Sequence, residues 1–214
     1  MAEYEVHIGG EGKITEKKST FIGAVMPAVS EEEALAFIAA KKKQYYDARH
    51  NCFAYITGDG DACIRSSDDG EPSGTAGRPI LDMMNGHGLH HAVLVVTRYF
   101  GGVLLGTGGL VRAYSQAAEA AISNAVLLER RQGVPLDVTV DYTSLGKVQY
   151  LLGEEDIFVR DTDYDAAVTI HAMVPTEKQQ KMQKALTDQT GGSAGLQWGD
   201  PCHFGIADGK LMVF

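Results

Sequence analysis

The sequence predicts an α+β protein of two domains, with an N-terminal domain over residues 1–130 and a C-terminal domain over residues 134–214. Three observations predict it. The chain has 214 residues, 44% hydrophobic and 22% charged, which is typical of globular proteins and sufficient for two small domains. Segments with helical and strand periodicity alternate along it. A polar run, Glu129-Arg130-Arg131-Gln132-Gly133, precedes a new strand pattern and is the expected domain boundary.

The N-terminal domain is predicted to combine strands with three helices. Ser30 and Glu33 form a capping box at the start of the first helix, which should run to about Tyr45. A continuously apolar strand, Val93–Val96, is expected to be covered on both faces of its sheet. The other predicted elements are strands over Lys13–Val29 and Asn51–Thr57, a helix over Gly74–Asn85, and a long helix after Gly109 with Leu110, Tyr114, Ala117, Ala121, Ile122 and Ala125 on its core face.

The C-terminal domain shows the order β-α-β-β-α-β, which is the ferredoxin-like pattern. Thr176 is expected to cap the second helix of this domain, with Gln179 completing its capping box. Residues 200–214 could add an edge strand. The predicted elements are strand Pro135–Tyr142, helix Thr143–Leu152, strands Ile157–Val159 and Ala167–Val174, the helix from Thr176 to Gly191, and strand Leu196–Trp198.

Charge and cysteine content exclude several classes of protein. Asp and Glu total 28 against 19 Lys and Arg, a net charge of −9, so the chain is not expected to coat nucleic acid non-specifically. A local basic face remains compatible with this total. Cys52, Cys63 and Cys202 are widely spaced, which indicates neither a disulfide framework nor a cysteine-rich zinc site. No signal peptide or membrane-length apolar run is recognised, so a cytoplasmic protein without membrane or disulfide partners is expected.

Two Gly-Thr-x-Gly turns, each at the predicted start of a helix, carry the strongest chemical signal. Helix N-termini present unpaired N–H donors, and a nearby arginine adds a donor suited to phosphate or carboxylate. The turns therefore predict an anion site. The alternative is that Thr75 and Thr107 are ordinary helix caps and the glycines permit close packing. The candidate anion-binding residues are Gly74, Thr75, Gly77, Arg78, Arg98, Gly106, Thr107, Gly108, Gly109 and Arg112.

An acidic group, Asp68, Asp69 and Glu71, precedes the first turn. Such carboxylates could bind magnesium or act as an acid–base pair, although Asp beside Gly and Pro also initiates turns. His50 and Cys52 share one face of a strand and could form a thiol–imidazole pair, but an apolar strand often uses Cys simply as core filler. No metal or cofactor is predicted.

Four segments resemble the signature of the YigZ/IMPACT family. The two main ones are Ser67–Pro79 and Arg98–Val111, and the minor ones are Lys18–Ile22 and Asp47–Cys52, so the resemblance spans residues of about 13 to 128. The region of about 134 to 199 resembles the ferredoxin-like C-terminal domain of the bacterial members, which is similar to a domain of elongation factor G.

The resemblance implies an N-terminal domain like the second domain of a small-subunit ribosomal protein. The eukaryotic relatives are translational regulators of the amino-acid-starvation kinase pathway, and they carry an extra interaction domain, so that partnership does not transfer. The predicted anion site, taken with the resemblance, favours a cytoplasmic protein that binds RNA, the ribosome or a translation factor. Arg49 and His50 are second-tier candidates for contacts at that site.

Two alternatives to this function stay open. One is an enzyme that acts on a small phosphorylated or carboxylated ligand through Asp68, Asp69 or Glu71. The other is a protein-interaction module that docks through its C-terminal sheet.

Overall fold

The computed structural model describes residues 2–207 and 209–214 and divides into two compact units, Met1–Glu129 and Arg130–Phe214. Both units combine helices with mainly antiparallel sheet, which confirms the predicted α+β class. No helix in the described part of the chain has the length and apolar character needed to cross a membrane.

The first unit is built on a five-stranded antiparallel sheet in the order β2-β3-β7-β4-β5. Strands β1 and β6 lie outside this sheet and pair in parallel with each other. The strands are β1 (Glu3–Ile8), β2 (Gly10–Glu16), β3 (Ser19–Pro27), β4 (His50–Thr57), β5 (Cys63–Ser67), β6 (Leu89–His90) and β7 (Ala92–Tyr99). The helices are α1 (Glu31–Gln44), α2 (Gly77–Gly86) and α3 (Thr107–Ser123), with a short 3-10 helix at Asp59–Asp61.

Helices cover both faces of this sheet, as the apolar run in β7 predicted. On one face, α2 and α3 pack onto β7, where Ile80 and Tyr114 are fully buried against Leu94. On the other face, α1 buries Ala34 and Ile38 in a smaller cluster that also contains Val93, Val95 and Tyr55. Apolar residues on both sides of β7 are therefore removed from water, which is the main favourable term in folding this unit.

Close approach of α3 to the sheet depends on glycine. A Cβ at Gly23 of β3 would lie 2.2 Å from the carbonyl oxygen of Ala117 in α3, well inside van der Waals contact. The core face of α3 is itself rich in alanine, including Ala113, Ala117 and Ala121. Small residues on both surfaces thus set a short helix–sheet distance, which positions the start of α3 beside the end of β7.

The predicted capping box of α1 is present. The Glu33 N–H donates to Ser30 Oγ at 3.2 Å, and Glu33 Oε2 accepts from the Val29 N–H at 2.8 Å. The glutamate therefore reaches one residue beyond the cap. The Glu33 N–H is one of the donors that the first turn of a helix leaves unpaired, and the Val29 N–H lies just before the helix.

The second unit has the antiparallel strand order β9-β10-β8-β11, which with its two helices is the ferredoxin-like arrangement. Its core includes Leu136, Ile170 and Leu186, all fully buried. Strands β12 and β13 form a hairpin from the residues expected to add an edge strand. The elements are β8 (Val126–Val140), α4 (Leu145–Glu154), β9 (Phe158–Tyr164), β10 (Val168–Pro175), α5 (Gln179–Thr190), β11 (Gly195–Trp198), β12 (Cys202–Ala207) and β13 (Lys210–Val213).

The polar run at residues 129–133, expected as the domain boundary, lies within strand β8, where Arg131 pairs with Phe204 and Gly133 with Cys202 of β12. One local prediction is wrong. Thr176 does not cap α5; it begins a 3-10 helix, Thr176–Lys178, and α5 follows without a side-chain cap.

Candidate anion-binding site

The two main motif segments meet in the core of the first unit. Arg98, on β7, donates from Nη1 to Glu71 Oε1 at 2.6 Å, and the Tyr114 hydroxyl donates to the same oxygen at 2.9 Å. The Arg98 and Glu71 side chains are only 7% and 3% exposed. Glu71 belongs to the loop before α2 and Tyr114 to α3, so one carboxylate connects the loop, the sheet and the helix.

Arg98 is also held between aromatic rings. Its guanidinium carbon lies 5.4 Å from the centroid of Phe21 and 5.6 Å from that of Phe100, which is cation–π range. The Arg98 Nε–H is buried and has no hydrogen-bond partner among the described residues. A buried donor without an acceptor is costly, so this position would gain from a nearby anionic group.

Two adjoining depressions, of about 240 and 210 Å³, open beside Arg98 at the end of β7. Arg49, Arg98 and Phe100 line both of them. His50 and Leu104 complete one depression, and Asp47 and Tyr99 complete the other. Arg49 is exposed, so it adds an accessible positive charge to a surface whose other cation is paired.

A turn with two more cations borders the same end of the sheet. Lys17 and Lys18 are exposed in the turn between β2 and β3, and both have positive φ angles, of 44° and 68°. The Gly101 N–H donates to Ser19 Oγ at 3.0 Å, which fixes this turn against the chain after β7. Three exposed cations, Arg49, Lys17 and Lys18, therefore lie near the end of β7 in a protein of net negative charge.

The first Gly-Thr-x-Gly turn already binds an internal anion. Asp68 accepts hydrogen bonds from the N–H groups of Gly74 at 2.8 Å and of Ala76 and Gly77 at 2.9 Å. Burial alone would raise the pKa of Asp68, but these backbone donors together lower it below its usual value. Thr75 is buried and donates to the Pro72 carbonyl at 2.6 Å, so α2 has Ala76, not Thr75, at its cap position.

The second turn lies at the N-terminus of α3. Gly106 is the cap residue with φ of 72°, and no acidic residue lies in the first turn of the helix. Thr107 and Gly108 are exposed and Gly109 is half-buried. Arg112, one turn further along, is exposed as well. Arg78, the arginine of the first turn, is instead paired with Asp82 at 2.7 Å on the surface of α2.

All three carboxylates of the acidic group have partners within the protein. Besides Asp68 and Glu71, Asp69 accepts from the Asn51 N–H at 2.7 Å and from Lys42 Nζ at 2.8 Å. Within residues 2–207 and 209–214, no three His, Cys, Asp or Glu side chains are arranged to hold a metal ion. These carboxylates order the loop between β5 and α2.

His50 and Cys52 are directed to different partners. The Cys52 thiol donates to the Asp68 carbonyl at 2.9 Å and lies 3.3 Å from the Tyr114 hydroxyl, whereas His50 Nδ1 contacts the Asp69 carbonyl at 2.9 Å. Burial raises the pKa of Cys52 to about 12, against a smaller opposing effect of the Tyr114 hydrogen bond. The thiol is therefore protonated at neutral pH, which makes it a poor nucleophile.

Phe21, Phe100 and Tyr114 are site residues that sequence reasoning did not single out. Tyr114 reads as an ordinary core position of α3, and Phe21 as one of β3. Phe100 gives a weak signal, because an aromatic residue between the end of a predicted strand and Gly101-Gly102 is expected in the loop that follows the strand. Its exposure could not be inferred from the sequence.

Comparisons with known proteins cover nearly the whole chain. Residues 17–122 match the Impact N-terminal domain, and residues 138–193 match a domain of unknown function, DUF1949. The chain is 36% identical to "IMPACT family member YvyE" of Bacillus subtilis, over 92% of this chain and 91% of that protein. It is 36% identical to "IMPACT family member YigZ" of Escherichia coli, over 84% of this chain and 89% of that protein.

Similarity to a mammalian protein covers less of the chain, whereas similarity to a solved structure covers nearly all of it. The chain is 34% identical to "Protein IMPACT" of Mus musculus over 98 residues, which are 44% of this chain and 30% of the mouse protein. A solved structure, "Crystal structure of an hypothetical protein", is similar over 97% of this chain and 98% of its own, with a TM-score of 0.58 and 31% identity.

Proposed function

Because the chain belongs to the IMPACT family, we propose that it is a cytoplasmic, translation-associated protein that binds the phosphate backbone of RNA, free or in the ribosome. The contact surface lies at the end of the first sheet where its central strand, β7, ends. The observation that carries the proposal is Arg98, whose buried Nε–H has no partner and which lines two adjoining depressions together with the exposed Arg49.

Within this surface the cations have different roles. Arg98 is paired with Glu71, so its net attraction for phosphate is weak; it holds Phe100 and the floor of the depressions in place. Arg49 supplies the accessible charge, and His50 lines the same depression. Lys17 and Lys18, on the neighbouring turn, extend the positive field. Phosphate contacts of this kind position a nucleic acid without reading its sequence.

The second Gly-Thr-x-Gly turn is a further contact in this proposal. The exposed N-terminus of α3 has no acidic residue to compete for its N–H groups, and Arg112 lies one turn away. The first turn contributes differently, because a phosphate there would have to displace Asp68 from three backbone donors. We therefore assign the residues Gly74, Thr75 and Gly77 to shaping the loop and not to direct contact.

The proposal predicts weak and salt-sensitive binding, because the chain carries a net charge of −9 and few cations face the ligand. The test is fluorescence anisotropy with a labelled RNA of about 12 nucleotides at salt concentrations between about 50 and 200 mM. Arg49→Ala should weaken binding and reduce the salt slope by about one phosphate contact. Arg112→Ala should have a smaller effect of the same kind.

Arg65→Ala is the matched control, since Arg65 is an exposed arginine on β5 and lines neither depression. Its affinity and salt slope should equal those of the unaltered protein. Equal affinities for the Arg49→Ala and Arg65→Ala variants would contradict the proposed site.

A further inference from the structure

Phe100 presents a fixed aromatic ring to solvent. Strand β7 ends at Tyr99, and on the other side Gly101 is tied to Ser19 Oγ and lies so close to the 17–18 turn that a Cβ would be 2.0 Å from the Lys18 carbonyl carbon. The guanidinium of Arg98 supports the ring from 5.6 Å, yet Phe100 remains 50% exposed. A ring held in this way loses little conformational freedom when a flat ligand covers it.

An exposed aliphatic residue lies in the same depression. Leu104 is 85% exposed and lines one depression with Phe100, Arg49 and His50. The surface therefore alternates apolar area and positive charge within a few residues. Nucleotides alternate a flat aromatic base with a phosphate in the same manner, and stacking on an aromatic side chain accepts any base.

A single strand suits this surface better than a duplex. In a duplex the base faces are stacked on one another and cannot reach Phe100. A duplex also places one negative charge at about every 1.7 Å of its axis, which sets many phosphates against a protein with a net charge of −9. A single strand has fewer phosphate charges per unit length, and its unpaired bases can reach Phe100.

We infer that Phe100 and Leu104 stack against an unpaired nucleobase whose adjacent phosphate is bound by Arg49. This inference rests on the proposed function and names the ligand of that site as a single-stranded segment of RNA or DNA.

The experiment compares full-length protein binding to four labelled probes of about 12 nucleotides at low salt: an RNA strand, the DNA strand of the same sequence, the RNA annealed to its complement, and the strand with abasic sites in place of bases. The single strand should bind about 5- to 150-fold more tightly than the abasic strand, the range expected for stacking of one base. The Phe100→Ala variant should bind the single strand and the abasic strand with equal affinity, and the salt dependence of its binding should be unchanged. The Phe100→Tyr variant should bind as the unaltered protein does.

Tyr164→Ala, which removes a 60% exposed aromatic ring from β9, is the control and should change nothing. Tighter binding of RNA than DNA supports RNA as the source of the unpaired base, and equal binding supports either source. Equal affinity for the single and abasic strands, or tighter binding of the duplex, overturns the inference. If the inference is overturned but Arg49→Ala still lowers the affinity for the probes, the proposed phosphate binding is supported. If the protein binds none of the probes, both proposals are overturned.

Discussion

Arg98 and Glu71 form an ion pair of 2.6 Å in which neither side chain is more than 7% exposed. The two residues lie 27 positions apart in the chain and belong to the two motif segments that the sequence singles out. Tyr114 shares the carboxylate of Glu71. Arg98, which the sequence offers as a ligand contact, therefore also joins the loop, the sheet and α3, so its variants can change folding as well as binding.

Removal of one partner of this pair should destabilise the first unit strongly. Arg98→Met leaves the Glu71 carboxylate buried without its cation, and we expect the free energy of unfolding to fall by about 3–5 kcal/mol. Adding Glu71→Gln removes the stranded charge and should recover part of that loss. The measurement is urea denaturation followed by far-UV circular dichroism. If the changes in the free energy of unfolding of the two single variants add up to that of the double variant, the pair is not coupled.

Loss of RNA binding in Arg98 variants would not separate binding from folding, which is why Arg49 is the better residue for testing binding.

The loop before α2 should depend on the charge of Asp68. Asp68→Asn replaces an acceptor of three backbone N–H groups with an amide that accepts through one atom only, so we expect a loss of about 1–3 kcal/mol. The folded pKa of Asp68 is lowered, so its contribution is present above the unfolded pKa of about 3.9 and is lost as pH falls through the folded pKa. Urea denaturation between about pH 3 and pH 6 should show a smaller pH dependence for Asp68→Asn than for the unaltered protein. Identical pH profiles would show that the carboxylate has no such role.

Periodicity and one cap signal predicted much of the α+β fold, whereas the cap predicted at Thr176 is absent. The apolar run in β7 and the spacing of Leu110, Tyr114 and Ala117 in α3 depend only on burial, which the residue types report directly. The capping box of Ser30 and Glu33 is a local signal and was read correctly. Pairings with a distant partner were not predicted: β1 and β6 pair across more than eighty residues, and the polar part of β8 pairs with β12.

The candidate site was also predicted only in part. Arg98 and Glu71 could be named from the sequence, because they belong to the two main motif segments. The sequence does not show that Arg98 is buried in an ion pair while Arg49 is exposed, because both arginines lie near the end of a strand. Occupation of the first Gly-Thr-x-Gly turn by Asp68 is a second example: the sequence gives the donors and the acceptor, but only the fold brings them within 2.9 Å.

The short distance between α3 and the sheet should make Gly23 intolerant of any side chain. In Gly23→Ala the new Cβ would lie 2.2 Å from the Ala117 carbonyl oxygen, so the helix must move, and we expect a loss of about 1–3 kcal/mol or more. Gly146→Ala is the matched control, because a Cβ at this position of α4 meets nothing within 4 Å. That variant should be unchanged or more stable by up to about 1 kcal/mol, since alanine is the better helix former. Urea denaturation compares the two, and equal effects would show that packing against α3 is not what requires glycine.

His171, in the middle of β10, should titrate above the usual range of histidine. The hydrogen bonds to Asp163 and then to Asp137, with nitrogen–oxygen distances of 3.0 and 2.6 Å, raise the pKa of His171, while burial opposes them weakly. Arg160 and His171 line one depression on this unit. Because the folded pKa lies above the unfolded value of about 6.5, the stabilisation is complete below that value and is lost as pH rises through the folded pKa.

The titration can be read directly from the His171 ring resonances by NMR. In Asp163→Asn the pKa of His171 should fall towards its ordinary value. Unfolding of this unit can be followed by the fluorescence of Trp198, the single tryptophan of the chain, which packs against the same core. The unaltered protein should lose stability as pH rises from about 6.5 through the folded pKa of His171, and His171→Gln should lack this loss. A His171 pKa at or below about 6.5 would mean that the two aspartates do not hold the protonated ring in solution.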